Sequence, residues 1–257
     1  MNQTQEAHYP SLAGKNIFIT GGATGIGAAM VKAFARQGAQ VAFVDVDAAS
    51  AQEVAAHVAE SGDPKPWWQT CDVRDIPGLQ ATIQTAAKAL GDFHGLVNNV
   101  ARDDRHTLEE VTLDYWDERM AVNQRPAFFA IQALVPGMRR LGGGSIINLG
   151  STSWQVKASG FPCYTVAKSS VNGLTRGLAS ELGKDRIRIN TVTPGWVMTE
   201  RQLALWMDEK GARQLAENQC LPDRLQPHDI ANMVLFLASD EAKMCTAQEF
   251  KVDAGWS

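Results

Sequence analysis

Apolar positions along this chain fall into short runs separated by longer amphipathic stretches, and the two alternate almost to the end. Ile17-Phe18-Ile19 and Val41-Ala42-Phe43-Val44 are continuous apolar runs, as expected of strands buried on both faces of a parallel sheet. Residues 28–37 change to a helical period, with Met30, Val31, Phe34 and Ala35 apolar and Gly38 as a stop. The same reading predicts further helices over 48–60, 76–90, 113–141 as one long stretch, and 164–182. It places strands at 67–71, 94–97, 145–149 and 187–192. After Pro194 the pattern is irregular, with helices near 200–217 and 228–238 and a closing strand at 250–252. Strand and helix in strict alternation, with short links, predict an α/β fold: a doubly wound parallel sheet of Rossmann type. Residues 1–14 read as a tail, and 1–257 as a single domain without repeat or linker.

In such sheets ligands sit outside the carboxyl ends of the strands. The residues predicted there are Gly21, Asp45, Asp72, Asn99, Ser151 and Pro194-Gly195, all small or polar. The first is the most informative. Thr20-Gly21-Gly22-Ala23-Thr24-Gly25-Ile26-Gly27 carries an apolar run through a glycine turn into a helical pattern. A helix N-terminus offers unpaired N–H groups and a positive dipole end to a phosphate. The spacing departs from Gly-x-Gly-x-x-Gly, and a plain structural turn has the same appearance. Asp45, eighteen residues after Gly27, suits the ribose hydroxyls of NAD. It would repel a 2′-phosphate, with Asp47 adding to the repulsion and no base at Thr24 or Val46.

A second stretch, Tyr164-Thr165-Val166-Ala167-Lys168, puts a phenol and an ammonium on one helix face. The ammonium would favour the phenolate and make the pair an acid/base; a solvated helix pair reads the same way. Ser151 lies thirteen residues earlier at a strand end, or simply caps a loop. Asn123 precedes Pro126, whose ring removes an N–H and crowds the carbonyl of Val122. Asn123 is therefore either an ordinary helix residue or part of a distorted turn able to hold a water.

With 257 residues, net charge −4 and a pI near 5.7, the chain has no basic field for nucleic acid or an anionic membrane. It shows no signal peptide and no run of membrane-spanning length. Cys71, Cys163, Cys220 and Cys245 are widely spaced and read as buried or partly buried free thiols of a cytoplasmic protein. The five histidines are scattered, and no metal site is expected.

Taken together and in order, the glycine turn, Asn98-Asn99, Asn123, Ser151, Tyr164/Lys168 and Pro194-Gly195 resemble the short-chain dehydrogenase/reductase family. The resemblance implies a catalytic tetrad: Tyr164 as acid/base, Ser151 on the reacting oxygen, Lys168 on the nicotinamide ribose and lowering the tyrosine pKa, Asn123 supporting a proton-relaying water. It implies that Pro194, Gly195, Val197 and Thr199 line the nicotinamide end of NAD. Asn99 and Val100 would lie beside the cofactor, Asp72 and Val73 at the adenine, and Gly21, Thr24, Gly25, Ile26 and Gly27 at the pyrophosphate. Val100-Ala101 departs from the family's usual Ala-Gly and narrows the expected cleft.

Strings such as Asp103-Asp104-Arg105-His106, Ser153-Trp154 and Asp253-Ala254-Gly255-Trp256 are similar to the sugar 1-dehydrogenases of that family. They imply oxidation of a cyclic aldose at its anomeric carbon, with Asp104, Ser151, Ser153, Trp154, Tyr164 and Trp196 as candidate substrate residues. The charged loop could equally be a solvated surface, and Trp154, Trp196 and Trp206 could stack on a sugar or merely pack. A polyol or secondary-alcohol dehydrogenase remains the alternative reading, and a non-catalytic nucleotide-binding protein a remote one. The family resemblance further implies a homotetramer or dimer formed through the helices at 113–141 and 164–182 and the C-terminal strand.

Overall fold

The computed structural model describes residues 7–257. Seven strands form one parallel sheet in the order β3-β2-β1-β4-β5-β6-β7: β1 Asn16–Thr20, β2 Gln40–Asp45, β3 Trp67–Thr70, β4 Gly95–Asn98, β5 Gly144–Leu149, β6 Ile187–Pro194 and β7 Glu249–Val252. Among the described residues nine α-helices connect them: α1 Gly25–Arg36, α2 Ala48–Glu60, α3 Ile76–Leu90, α4 Leu113–Asn123, α5 Arg125–Leu141, α6 Pro162–Gly183, α7 Glu200–Leu205, α8 Glu209–Asn218 and α9 Pro227–Ala238. This is the doubly wound architecture that the alternating pattern predicts.

The strand period of two sorts side chains into two cores. Ile17 and Ile19 of β1, with Val41 and Phe43 of β2, join Met30, Phe34 and Val234 on one face. Phe18, Ala42 and Val44 join Leu79, Ile83, Leu134 and Met138 on the other. Phe18 is fully buried and meets Phe93 edge-on at 5.4 Å; burial of one such side chain contributes about 1.5–3 kcal/mol. The order of strands reverses between β1 and β4, so the crevice outside their carboxyl ends is the switch point where a ligand is expected.

The structure corrects the sequence reading in several places. The long helix expected over 113–141 is two helices. Gln124 (φ −127°, ψ −58°) breaks it, because Pro126 lacks the N–H that would continue the ladder and is tolerated only in the first turn of a new helix. The stretch near 200–217 is likewise split, at Trp206-Met207-Asp208, where Asp208 caps α8 through Gly211 N at 2.8 Å. The first helix begins at Gly25 rather than residue 28, with Thr24 at its N-cap. The described part of the tail is docked: Tyr9 N donates to Gln37 Oε1 at 2.7 Å, Gln37 Nε2 donates to Ala7 O at 3.0 Å, and Leu12 is fully buried. Residues 1–6 lie outside the described region. Among the cysteines, Cys71 and Cys163 are buried and Cys245 partly so, but Cys220 is exposed.

Candidate active site

The cleft at the switch point measures about 1310 Å³ and runs from Gly21 and Asp45 past Tyr164 to Trp206 and Trp256. Its inner end is built by the glycine turn. Gly21 (φ +72°) and Gly25 (φ +52°) occupy the left-handed region that glycine enters freely. A Cβ at Gly27 would overlap the Gly21 carbonyl oxygen. The backbone is thus packed too closely for any side chain, and the amides of Gly21 and Gly22 tie the turn to the Val44 carbonyl of β2. Asn99 fastens this turn to β4: its Nδ2 donates to the carbonyls of Thr20 (3.1 Å) and Gly21 (2.8 Å), and its backbone N donates to Thr20 Oγ1 at 3.0 Å. Val100 stands against the same turn, its Cγ2 2.9 Å from where a Cβ on Gly21 would lie.

The Asp45 carboxylate is fixed at the end of β2 by the N–H groups of Ala23 (2.9 Å) and Asp47 (3.1 Å). Asp47 itself caps α2 through Ser50 N at 3.0 Å. Asp72 holds Arg74 through paired contacts of 2.6–3.0 Å, and Glu118 takes the guanidinium's other side at 3.2 Å. The hydrogen bonds from Arg74 keep the Asp72 pKa below the usual carboxylate range against the opposing effect of burial. Arg74 lines the cleft, a cation that strand-end reasoning missed because it lies beyond β3 in the following turn.

A buried polar chain carries α6 onto the sheet. Asn98 Nδ2 donates to Asn148 Oδ1 (2.8 Å), Asn148 Nδ2 donates to Thr175 Oγ1 (3.0 Å), and Thr175 meets the Thr191 hydroxyl at 2.8 Å. This chain fixes the helix that carries Tyr164 and Lys168. Lys168 is buried and donates from Nζ to Leu149 O at 2.7 Å. Burial pulls its pKa down to about 8. Tyr164 keeps some surface toward the cleft, yet burial of its phenol pushes its pKa up to about 12, against the opposing hydrogen bond with Ser151. The ammonium lies 5.9 Å from the tyrosine ring centroid and is not among the groups that move the tyrosine pKa, which burial dominates, so the expected lowering by lysine does not prevail here.

Ser151, Ser153, Trp196, Pro194, Gly195, Val197, Thr199, Asp72 and Val73 all line the cleft, with the glycine turn, Thr24, Ile26, Asp45, Asn99, Val100, Tyr164 and Lys168. Three predicted residues do not. Asn123 accepts from Arg102 N (2.7 Å) and donates to Arg102 O (3.1 Å); its side chain pins the loop after β4. Asp104 is enclosed by Arg119 at 2.5 Å and Arg201 at 2.6 Å, so it braces the wall instead of lining it. Trp154 sits on a short 3-10 turn, 38% exposed, and faces away.

The same loop contributes wall residues that pattern alone could not single out. Asp103 is held by Gln202 Nε2 at 2.8 Å, and Trp196 Nε1 donates to Gln202 Oε1 at 2.9 Å. Arg105 lies over the Phe161 ring at 4.0 Å and the Trp206 ring at 4.8 Å, and Phe161 meets Tyr164 edge-on at 5.5 Å. His106 braces the loop on α6 by accepting from Cys163 N at Nε2, 3.2 Å. The residues at the inner end fit a dinucleotide: a glycine turn with no room for side chains, a fixed carboxylate beyond it, and a lysine with two ammonium hydrogens left after its bond to Leu149.

A parallel sheet whose switch point carries this turn, and whose neighbouring helix turns a Tyr–Lys pair toward a serine, defines a nicotinamide-dinucleotide oxidoreductase. The chain belongs to the short-chain dehydrogenase/reductase family. Residues 21–257 match the family model described as enoyl-(acyl carrier protein) reductase. The chain is 45% identical over 250 residues to a D-xylose 1-dehydrogenase of Caulobacter vibrioides, covering 97% of this chain and 98% of that one. It is 43% identical over 249 residues to a "probable galactose dehydrogenase GalD" of Rhizobium meliloti, covering 97% of each. Among solved structures, a blue fluorescent protein from a metagenomic library, in complex with NADPH, superposes with a TM-score of 0.89 at 35% identity, over 96% of this chain and 99% of that one. No helix among the described residues is long and apolar enough to cross a membrane.

Proposed function

We propose that the protein is an NAD-dependent aldose 1-dehydrogenase, oxidising the anomeric carbon of a pentose or hexose of D-xylose, L-arabinose, L-fucose or D-galactose type to the lactone. The likeness to a D-xylose 1-dehydrogenase over nearly the whole chain carries this reading. The cleft supports it, because its outer wall carries charged groups beside the rings of Trp196 and Trp206. Such a wall suits a ligand with hydroxyls at its edge and C–H groups on its face.

Ser151 holds the C1 hydroxyl against Tyr164, and the deprotonated Tyr164 removes its proton as hydride leaves C1. A nicotinamide dinucleotide held in the cleft would supply the hydride acceptor. The C1–O bond becomes the lactone carbonyl, and the alcohol has lost one proton and one hydride. Lys168 would give its two remaining N–H donors to the nicotinamide ribose, and Asp45 would accept from the adenosine ribose hydroxyls. NAD is favoured over NADP because a 2′-phosphate near Asp45 would meet like charge, while the nearby Arg74 is already committed to Asp72 and Glu118.

The assembly is a homotetramer built on α4, α5 and α6, whose outer faces expose Trp116, Phe128 and Val166. The protein works in the cytoplasm, where an exposed thiol such as Cys220 stays reduced. A panel of aldoses and polyols with NAD and NADP in parallel tests the reading. Reduced nucleotide should form with an aldose and NAD, and the product should be a lactone that hydrolyses to an acid. A ketose product, or faster turnover with NADP, refutes the corresponding part. Light scattering tests the tetramer.

A further inference from the structure

Three polar atoms on the walls of the cleft are buried without a hydrogen-bond partner: Ser153 Oγ, Arg105 Nη1 and Trp206 Nε1. A buried donor left unpaired is costly, and more so on a charged group, so three on one cavity point to a ligand that completes them. Arg105 stands out among them. Its guanidinium is clamped between the rings of Phe161 and Trp206, at 4.0 and 4.8 Å, and Phe161 in turn packs on Tyr164. The stack Trp206–Arg105–Phe161–Tyr164 therefore ties the cation to the acid/base residue. The neighbouring carboxylates are engaged elsewhere, Asp103 by Gln202 and Arg201, and Asp104 by Arg119 and Arg201.

We infer that Arg105 is the residue that selects the substrate: it donates to a ring hydroxyl of the sugar whose C1 lies at Tyr164 and Ser151. The inference rests on the aldose reading above. Asp103 lines the same wall and keeps lone pairs beyond its contacts with Gln202 and Arg201, so a donor and an acceptor stand on one wall. That pairing suits a hydroxyl, which both gives and takes a hydrogen bond, and disfavours a carboxylate, which Asp103 would repel. A site built to bond a hydroxyl rejects an analogue lacking it far more strongly than an apolar pocket discriminates by size. Arg105 would therefore separate one aldose from its deoxy analogue or epimer.

The test combines substrate and protein changes. The best aldose and its 2-, 3- and 4-deoxy analogues are assayed with the unaltered enzyme, Arg105→Met and Arg105→Lys. In the unaltered enzyme, loss of the hydroxyl read by Arg105 should lower kcat/KM by about 10- to 100-fold, as for a hydrogen bond to a charged group. In Arg105→Met the parent sugar should fall by a similar factor, and that deoxy analogue should be no worse than the parent. The ratio between the two sugars does not depend on the fraction of enzyme folded. If Arg105→Met fails to fold, Arg105→Lys decides by the same ratio, which should drop several-fold because lysine lacks the planar fork. Undiminished discrimination in the variant that folds overturns the role of Arg105. An unaltered enzyme that turns over no aldose overturns the aldose reading itself.

Discussion

Lys168 offers the most direct physical test of the site, because its burial must appear as a pH dependence of stability. The side chain is 3% exposed, with one hydrogen bond to Leu149 O. Burial lowers its pKa from the ordinary 10.5 to about 8. Between those values the unfolded chain holds a proton that the native protein has released. The unfolded state then binds more protons, so stability rises with pH through this window, and below about pH 8 the full cost of the buried ammonium applies. The full difference is about 3 kcal/mol, of which on the order of 1 kcal/mol falls between pH 7 and pH 9. Tyr164 acts in the opposite sense, since its pKa is raised from 10.0 to about 12, but its window opens only above pH 10. Lys168→Met removes the titrating group. Urea unfolding of both proteins without nucleotide, at intervals from pH 7 to pH 9.5, gives the difference in stability at each pH. Other groups cancel in that difference, which should move in favour of the unaltered protein by on the order of 1 kcal/mol from pH 7 to pH 9. A difference that stays flat across the range, or moves the other way, would show that the ammonium is not held at a cost in the native site.

Three further outcomes are expected. Tyr164→Phe should lower kcat by about 10²- to 10⁴-fold, the usual worth of a positioned acid/base, while fluorescence titration finds NADH affinity little changed; retained turnover would remove Tyr164 from the chemistry. Asp45→Ala should reduce the NAD over NADP preference in kcat/KM by roughly 10-fold or more, the value of a charge-assisted hydrogen bond, and an unaltered ratio would refute the ribose assignment. Gly27→Ala forces a methyl into the Gly21 carbonyl; an overpacking cost of about 1–3 kcal/mol would lower Tm by about 3–10 °C, and a melting curve that does not move would show that the turn has room to spare.

What could be read from the chain depended on how local the determinant was. Strands were legible because both faces of a parallel sheet are buried, which leaves continuous apolar runs such as 41–44. The glycine turn and the Tyr164/Lys168 pair were legible because their geometry is set within a few residues. The break at Gln124 was visible only as crowding at Pro126, since whether a proline kinks a helix or starts a new one depends on what the neighbouring turns pack against. Asn123, Asp104 and Trp154 were assigned from spacing and resemblance, but their positions depend on loop paths. Asn123 meets a backbone segment 21 positions earlier, and Asp104 meets an arginine 97 positions later. Phe161 and Gln202 carried no signal of their own; the cation above one and the carboxylate beside the other come from the loop after β4.

That loop also changes how the electrostatics of the site are to be understood. The i, i+4 spacing suggests that lysine prepares tyrosine for catalysis by its charge. In the structure burial drives both groups toward neutrality, Tyr164 upward and Lys168 downward. The influences that favour the phenolate come from the side where substrate enters: the hydrogen bond with Ser151 and the field of Arg105, opposed by Asp103. Substrate bound at Ser151 with a hydroxyl on Arg105 would engage both groups that favour ionisation of Tyr164. Recognition and proton transfer are then coupled through one loop, and the densely charged stretch 102–106 is the framework that holds this coupling in place, with Asn123, Arg119 and His106 as its anchors.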